Sequence, residues 1–249
     1  MDISGLGAWL LLGGDDGEHT SAGGMWVRDE GKPNPERTLP QPIVLAGGAT
    51  LGSRLYVVGG TDDFRKLERA TDRFFSLDIT SGLIRELPPI PGGPRILPAV
   101  AALDGEVIAL TGARVGAGTV DVENLTEAWR FSTVSETWSA IADYPFPVRG
   151  LIACALTPRY VLLAGGFRTS MVAQMPSAFT DTCFLYDAKD DRHLALPPLP
   201  YSAMLGGLIR HGEFIYIIGG EDRPRHRTGL VYRTTISKLI AAAGVAAQP

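Results

Sequence analysis

Short apolar segments that end in glycine recur along the chain. Four of them close with a Gly-Gly pair and a fifth closes with Thr-Gly; they span residues 10–14, 55–60, 107–112, 160–166 and 214–220. Counted between the first residues of these pairs, the successive repeats are 46, 52, 54 and 54 residues long. Glycine suits the end of a strand where the backbone leaves the sheet with torsions that a Cβ resists. The pattern therefore predicts a repeat protein built of similar β units.

Each repeat has the same internal order of apolar and polar positions. An apolar strand, a polar turn, a second apolar strand, a loop, an aromatic strand and a final strand follow one another. The clearest copy predicts strands at residues 96–103, 106–110, 128–131 and 137–141. The third strands of three repeats carry an aromatic residue, which we expect to pack between neighbouring units; these residues are Phe75, Trp129 and Phe184.

A period of about 50 residues with four strands resembles the kelch blade. We therefore expect an all-β, kelch-type β-propeller with about five four-stranded blades, in a single domain that covers residues 1–249. Few residues precede the first apolar segment, so the first blade is expected to be incomplete. Residues 236–243 are expected to supply the outer strand of the fifth blade. The 30 glycines and 18 prolines agree with a chain that turns often.

The composition argues against several classes of function. A net charge of −4 gives no basic surface for nucleic acid or an anionic membrane, and neither partner is expected. The four histidines lie in different repeats, without the paired spacing of a metal site, so neither a metal nor another cofactor is expected. No basic region precedes the first apolar run. A cytoplasmic location is the default expectation, with the periplasm as the alternative if the native amino terminus is missing.

The two cysteines, Cys154 and Cys183, fall in the first and third strands of one predicted blade. Strands two positions apart in a sheet lie about 10 Å from each other, which is too far for a disulfide. We expect both cysteines to be buried apolar residues.

The loop after the last Gly-Gly pair carries the most informative motif. Residues 220–228 read Gly-Glu-Asp-Arg-Pro-Arg-His-Arg-Thr. This resembles the Gly-Glu-x-x-Pro-x-x-Arg-Thr signature of the bacterial sialic-acid mutarotases, also called N-acetylneuraminate epimerases. Two further segments resemble that family: Pro-Gly-Gly-Pro-Arg at 91–95 and Gly-Gly-Asp-Asp-Gly at 13–17. The place of the motif in the last repeat resembles the cyclically permuted branch, although members of the family are usually longer and six-bladed.

The resemblance implies a cofactor-free isomerase that interconverts the anomers of N-acetylneuraminic acid or a related sugar acid. Ring opening needs one group to remove the anomeric hydroxyl proton and another to protonate the ring oxygen. Glu221 and Arg227 are the candidate catalytic residues. Arginine can hold a carboxylate through two parallel hydrogen bonds, and the candidate substrate-binding residues are Arg95, Arg149, Arg168 and Arg225.

Each assignment has a structural alternative. Glu221 and Arg227 would form an exposed salt bridge, and Arg95 and Arg149 would stabilise contacts between blades. In that case the chain is a non-catalytic kelch propeller that binds a protein or a glycan through its loops. An enzyme predicts a polar, arginine-lined pocket with a partly buried Glu221. A binding module predicts a flat or apolar loop face with Glu221 in solvent. Asp15 and Asp16 are expected to form turns.

Overall fold

The computed structural model of the protein describes residues 2–3, 8–21, 23–28, 33–39, 41–116, 122–169 and 178–245. For residues 2–3, 8–12, 23–28 and 33–38 it describes the backbone alone. Within these ranges the chain forms five antiparallel sheets of three or four strands, together with two short hairpins. The five sheets are the blades of a β-propeller.

The strands follow the chain from blade to blade. The first blade contains β1 (Asp2–Ile3), β2 (Ala8–Leu12), β3 (Gly23–Arg28) and β4 (Pro33–Thr38). The second contains β5 (Gly47–Leu51), β6 (Arg54–Val58), β7 (Phe74–Asp78) and β8 (Ile84–Leu87), with a short 3₁₀ helix at Leu67–Arg69. The third contains β9 (Ala99–Leu103) and β10 (Glu106–Leu110), an inserted hairpin of β11 (Ala113–Val115) and β12 (Val122–Asn124), and then β13 (Ala128–Ser132) and β14 (Thr137–Ile141).

The last two blades differ in their outer strand. The fourth contains β15 (Ile152–Ala155), β16 (Tyr160–Ala164), β17 (Cys183–Asp187) and β18 (Arg192–Leu196). The fifth contains β19 (Gly207–His211) and β20 (Phe214–Ile218), a hairpin of β21 (Glu221–Arg223) and β22 (His226–Arg227), and then β23 (Val231–Thr235). Helix α1 (Ile236–Ala242) follows β23. The first strands of successive blades pack side by side, β5 on β9, β9 on β15 and β15 on β19, and so lie at the propeller axis.

The glycine pairs adopt the backbone geometry that the sequence predicts. Each second strand ends immediately before its pair, and both residues of all five pairs have positive φ, from 59° to 109°. The pair in the third blade has threonine at its first position, and Thr111 adopts φ 59° there. At Gly165 a Cβ would lie 2.0 Å from the carbonyl oxygen of Ala203. Both the positive φ and this lack of room for a side chain therefore favour glycine at this position.

The predicted aromatic residues of the third strands pack between blades. Phe75 belongs to a buried cluster that includes Leu39 and Ile43 from the segment joining the first two blades. Trp129 packs on residues of the second and third blades, and Phe184 packs on residues of the third and fourth. These aromatic residues confirm the predicted packing, because a ring on the third strand spans the gap between two sheet faces.

One predicted strand begins later than expected, and another predicted strand is wrong. The strand expected at 96–103 begins only at Ala99, because Leu97 has φ 53° and Pro98 follows it. The outer strand expected at 236–243 is instead helix α1. Thr235 caps this helix by accepting a hydrogen bond from the Lys238 amide, and Ile236 and Ile240 are buried one helical turn apart.

The first blade is incomplete at its inner strand, as expected, and the fifth blade is incomplete as well. The first blade has four strands, although its inner strand β1 has only two residues. The fifth blade has three strands among the described residues.

Cys154 in β15 and Cys183 in β17 are free thiols separated by β16. Burial raises the pKa of Cys154 to about 11 and that of Cys183 to about 12.

Candidate functional site

A cavity of about 250 Å³ lies at the end of the propeller that carries the glycine pairs. The turns before the inner strands and hairpin β21–β22 contribute to its walls. Most of its lining is apolar: Leu45, Phe64, Leu67, Ile96, Leu97, Phe167, Phe179, Met204, Leu205 and Pro224. Three charged residues complete the lining: Arg149, Glu221 and Arg227.

Three leucines, Leu45, Leu97 and Leu205, form what we call the leucine floor of this cavity. Leu97 and Leu205 also line a second space of about 230 Å³ beside the inner strands, so the floor lies between the two spaces. All three leucines have positive φ, at 58°, 53° and 56°. For a residue with a Cβ this conformation costs about 1–2 kcal/mol.

Backbone hydrogen bonds connect the floor around the axis. The Leu97 amide donates to the Leu45 carbonyl at 2.6 Å, and the Gly150 amide donates to the Leu97 carbonyl at 3.2 Å. The Leu205 amide then donates to the Gly150 carbonyl at 3.3 Å. Gly150 therefore occupies the floor position of the fourth blade. A Cβ there would lie 2.8 Å from the Met204 side chain, which shows that Met204 fills the space a fourth leucine would take.

Hairpin β21–β22 places the acid and the arginine of the motif opposite each other. Glu221 and Arg227 are cross-strand partners, and Arg225 turns the hairpin with φ 61°. The Arg225 amide donates to Glu221 Oε1 at 2.8 Å, and Glu221 Oε2 lies 3.5 Å from Arg227 Nη2. Two hydrogen bonds of 2.9 Å between the backbones of Glu221 and Met204 fasten the hairpin to the cavity wall.

The two charged side chains of the hairpin differ in exposure. The side chain of Glu221 is 19% exposed and that of Arg227 is 68% exposed. An ion pair with one partner in water contributes about 0–1 kcal/mol, so Arg227 can leave Glu221 for an anionic ligand at little cost. The hydrogen bond from the Arg225 amide to Glu221 Oε1 does not involve Arg227.

Arg149 lies in the wall of the same cavity, almost completely buried. Its Nη1 donates to Asn124 Oδ1 at 2.8 Å and to the Thr169 carbonyl, and its guanidinium lies 4.6 Å from the centre of the Phe167 ring. These contacts hold the plane of the guanidinium in one orientation against an aromatic wall.

Arg95, the other arginine before an inner strand, does not line the cavity. Its side chain is 0% exposed, and its Nη2 donates to Glu127 Oε2 at 3.0 Å and to the Pro91 carbonyl at 2.7 Å. Glu127 Oε1 accepts a further hydrogen bond from Arg114 at 3.0 Å. Burial lowers the pKa of Arg95, and the charge of Glu127 opposes that shift. The Pro-Gly-Gly-Pro segment and Arg95 thus form part of an ion-pair network inside the wall.

The remaining predicted substrate residues also lie away from the cavity lining. Arg168 stacks over the ring of Phe146, 4.1 Å from its centre, and its amide donates to the Ala178 carbonyl. Arg225 contributes its backbone amide to Glu221 and is not among the lining residues. The structure therefore brings Glu221, Arg227 and Arg149 to one cavity and leaves Arg95, Arg168 and Arg225 outside its lining.

The Gly-Gly-Asp-Asp-Gly segment holds part of the cavity rim in place. Asp15 accepts hydrogen bonds from the Gly17 amide and the Thr20 hydroxyl and forms a two-point ion pair with Arg65. The hydrogen bond from Thr20 is the main reason that the pKa of Asp15 is lowered. Thr20 Oγ1 also accepts a hydrogen bond from the amide of Phe64, which lines the cavity. Asp15 and Asp16 both accept hydrogen bonds from amides two or three residues further on, as expected for turn residues.

The apolar lining was not recognised from the sequence. A signal for the floor is nevertheless present, because Leu45, Leu97 and Leu205 each stand fourteen residues before the first residue of their glycine or threonine-glycine pair. The aromatic residues Phe64, Phe167 and Phe179 come from loops of different length and share no such spacing.

A larger cavity, of about 340 Å³, lies between the fourth and fifth blades beside helix α1. Its lining includes the apolar side chains of Leu199, Ile217 and Leu239 and the cations Arg233 and Lys238. None of the described residues that line it is acidic.

In the part of the chain that the structure describes, no three His, Cys, Asp or Glu side chains converge as a metal site. No helix within the described ranges is long and apolar enough to span a membrane.

Comparisons with known proteins establish the fold. No protein-family model matches the chain. Kelch repeat and BTB domain-containing protein 13 of Homo sapiens is 35% identical over 117 residues, which are 47% of this chain and 23% of that protein. F-box/kelch-repeat protein At1g15670 of Arabidopsis thaliana is 28% identical over 152 residues, 59% of this chain and 40% of that protein. The matches to these curated relatives thus span less than half of their length.

The solved structure titled "Structure of YjhT" superposes with a TM-score of 0.68 at 16% sequence identity. The match covers 82% of this chain and 65% of that one. Together with the kelch relatives and the five antiparallel sheets, it identifies the fold as a kelch-type β-propeller.

Proposed function

We propose that the chain binds a sugar acid in the cavity of the leucine floor and interconverts its anomers. The observation that carries this proposal is that the partly buried Glu221 lines the cavity beside Arg227, and that a second arginine, Arg149, lines the same cavity. The resemblance of the hairpin motif to the sialic-acid mutarotases supports the same reaction. The mainly apolar lining departs from the polar, arginine-lined pocket that an enzyme predicts.

The groups present match the chemistry of ring opening. A carboxylate within reach of the anomeric hydroxyl removes its proton and, as the resulting carboxylic acid, delivers a proton to the ring oxygen as the bond between the anomeric carbon and the ring oxygen breaks. Reclosure on the other face of the carbonyl reverses both proton transfers, so the reaction requires no net co-reactant. In this proposal Glu221 Oε2 exchanges the proton, because Oε1 is engaged by the Arg225 amide.

The arginines are proposed to hold the substrate carboxylate. Arg227 is mostly exposed and is held near Glu221 only by a 3.5 Å contact. Its movement onto a substrate carboxylate would release Glu221 Oε2 for proton transfer. Arg149 would add positive potential from the wall, in an orientation fixed by Asn124 and Phe167.

The test is the anomeric exchange rate of N-acetylneuraminic acid, measured by proton NMR with the wild-type protein and with Glu221→Gln. General acid–base catalysis contributes about 10²–10⁴-fold, so the wild type should accelerate exchange and the variant should lose that acceleration. Asp222→Asn on the same hairpin is the matched control, since Asp222 pairs with His226 and does not line the cavity. Equal acceleration by Glu221→Gln and wild type would show that Glu221 is not the acid–base group.

A second candidate function is the binding of a protein segment. The mainly apolar lining and the kelch-repeat relatives favour it. Under this alternative the sugar signals would show neither accelerated exchange nor a shift on addition of the protein.

A further inference from the structure

We propose that the leucine floor seats the acyl group of the sugar acid, so that the cavity favours N-acylneuraminates whose acyl chain is longer than acetyl. This proposal rests on the proposed function, because it requires a sugar acid in the cavity. It adds a selectivity that the acidic and basic residues of the hairpin do not supply.

The acid and the arginine of the motif stand on a different element from the leucine floor. Glu221 and Arg227 stand on hairpin β21–β22, whereas the floor is made by the turns before the inner strands. A ligand with a carboxylate and a separate apolar substituent therefore matches both surfaces. A sugar acid that carries only hydroxyl groups would leave the floor without an apolar partner and would lose hydrogen bonds to water there.

Backbone geometry does not explain why leucine stands at these positions. Glycine and asparagine adopt positive φ most readily, and a bulky side chain is disfavoured there. Leucine instead supplies apolar surface at the bottom of the cavity. Leu205 remains 42% exposed, so part of that surface is open to be covered. The alkyl part of an acyl chain of three or four carbons would cover it without needing a hydrogen-bond partner.

The size of the effect follows from the area that each added carbon buries. One buried methylene strengthens binding about fourfold. N-butanoylneuraminic acid has two methylenes more than the N-acetyl compound, so we expect a dissociation constant up to about fifteenfold lower. N-glycolylneuraminic acid places a hydroxyl where the acetyl compound has a methyl hydrogen, and it should bind more weakly than the acetyl compound.

The experiment measures dissociation constants for these three compounds by isothermal titration calorimetry, with wild type, Leu205→Asn and Leu230→Asn. Asparagine is close in size to leucine and tolerates positive φ, so Leu205→Asn makes the floor polar without straining the backbone. Leu230 has nearly the same exposure, 43%, but does not line the cavity, which makes it the matched control. We expect the preference for butanoyl in the wild type and the control, and its loss in Leu205→Asn.

The outcomes separate this proposal from the proposed function. If the wild type accelerates anomeric exchange of N-acetylneuraminic acid but binds the butanoyl compound no more tightly, the selectivity is refuted and the catalytic function stands. The selectivity is also refuted if Leu230→Asn removes the preference as much as Leu205→Asn does. If none of the three compounds binds and exchange is not accelerated, both proposals are refuted.

Discussion

The buried ion pair between Arg95 and Glu127 allows a sharp test of whether Arg95 is structural or contacts a ligand. The side chain of Arg95 is 0% exposed, while that of Glu127 is 32% exposed and is shared with Arg114. Glu127→Gln keeps the size of the side chain but leaves a buried guanidinium without its carboxylate. Breaking a buried pair in this way costs about 3–5 kcal/mol. Because one-third of Glu127 is open to solvent screening, we expect the lower end, about 3 kcal/mol.

Glu136→Gln in the same blade is the matched control. Glu136 pairs with Arg85 at 2.7 Å, but the side chains are 36% and 53% exposed. Its loss should change the free energy of unfolding by at most about 1 kcal/mol. The assay is urea unfolding followed by the fluorescence of Trp129 and Trp138, which lie in the same blade.

A double substitution completes the test. Arg95→Met together with Glu127→Gln removes the buried guanidinium that Glu127→Gln leaves unpaired. The double variant should therefore be more stable than Glu127→Gln alone. If Glu127→Gln is destabilised no more than Glu136→Gln, the guanidinium of Arg95 is compensated by something other than Glu127. The structural reasoning would then be refuted, and Arg95 would return as a candidate ligand contact.

Two further predictions concern stability. Gly165→Ala should lower the free energy of unfolding by several kcal/mol, because its Cβ would lie 2.0 Å from the Ala203 carbonyl oxygen. Gly105 has φ 73° and no atom within 4 Å of its Cβ position, so Gly105→Ala should lower the free energy of unfolding by only about 1 kcal/mol. Thermal unfolding of both variants checks this difference. The pKa of His193 is lowered by burial, although its hydrogen bond with the Ala142 carbonyl and the nearby acidic residues oppose the shift. The unfolded chain therefore binds the proton more readily, and stability should fall as the pH drops below about 6.5. Urea unfolding at pH 7 and 5.5 should show a larger loss for wild type than for His193→Gln, and an equal loss would contradict the assignment.

Local features of the chain were predictable because backbone torsions and strand periodicity depend on residues that are close together in the sequence. The glycine pairs require positive φ, and all five have it, including the pair in which Thr111 replaces glycine. The third-strand aromatic residues follow from the strand period, and their packing between blades is confirmed. The chain after β23 was predicted wrongly, because residues 236–243 are apolar enough for either a strand or a short helix. The cap at Thr235 and the buried Ile236 and Ile240 decide for the helix.

The position of the arginines shows what local sequence could not decide. Arg95 and Arg149 both precede inner strands, but Arg149 directly precedes Gly150, the floor position, and Arg95 stands one residue further from Leu97. In extended chain a shift of one residue turns the side chain to the opposite side. Arg149 therefore reaches the cavity, and Arg95 points into the wall.

The sequence by itself determined the repeat, the ends of the second strands and the loop motif that contains Glu221 and Arg227, since each depends on residues close together in the chain. Only the tertiary structure decided which charges share a cavity and that its lining is mainly apolar. Those properties depend on partners from other blades, such as Glu127, 32 residues after Arg95, and on floor leucines from three different blades. Burial and ion pairing are set by distance in space, and no local pattern in the sequence encodes that distance.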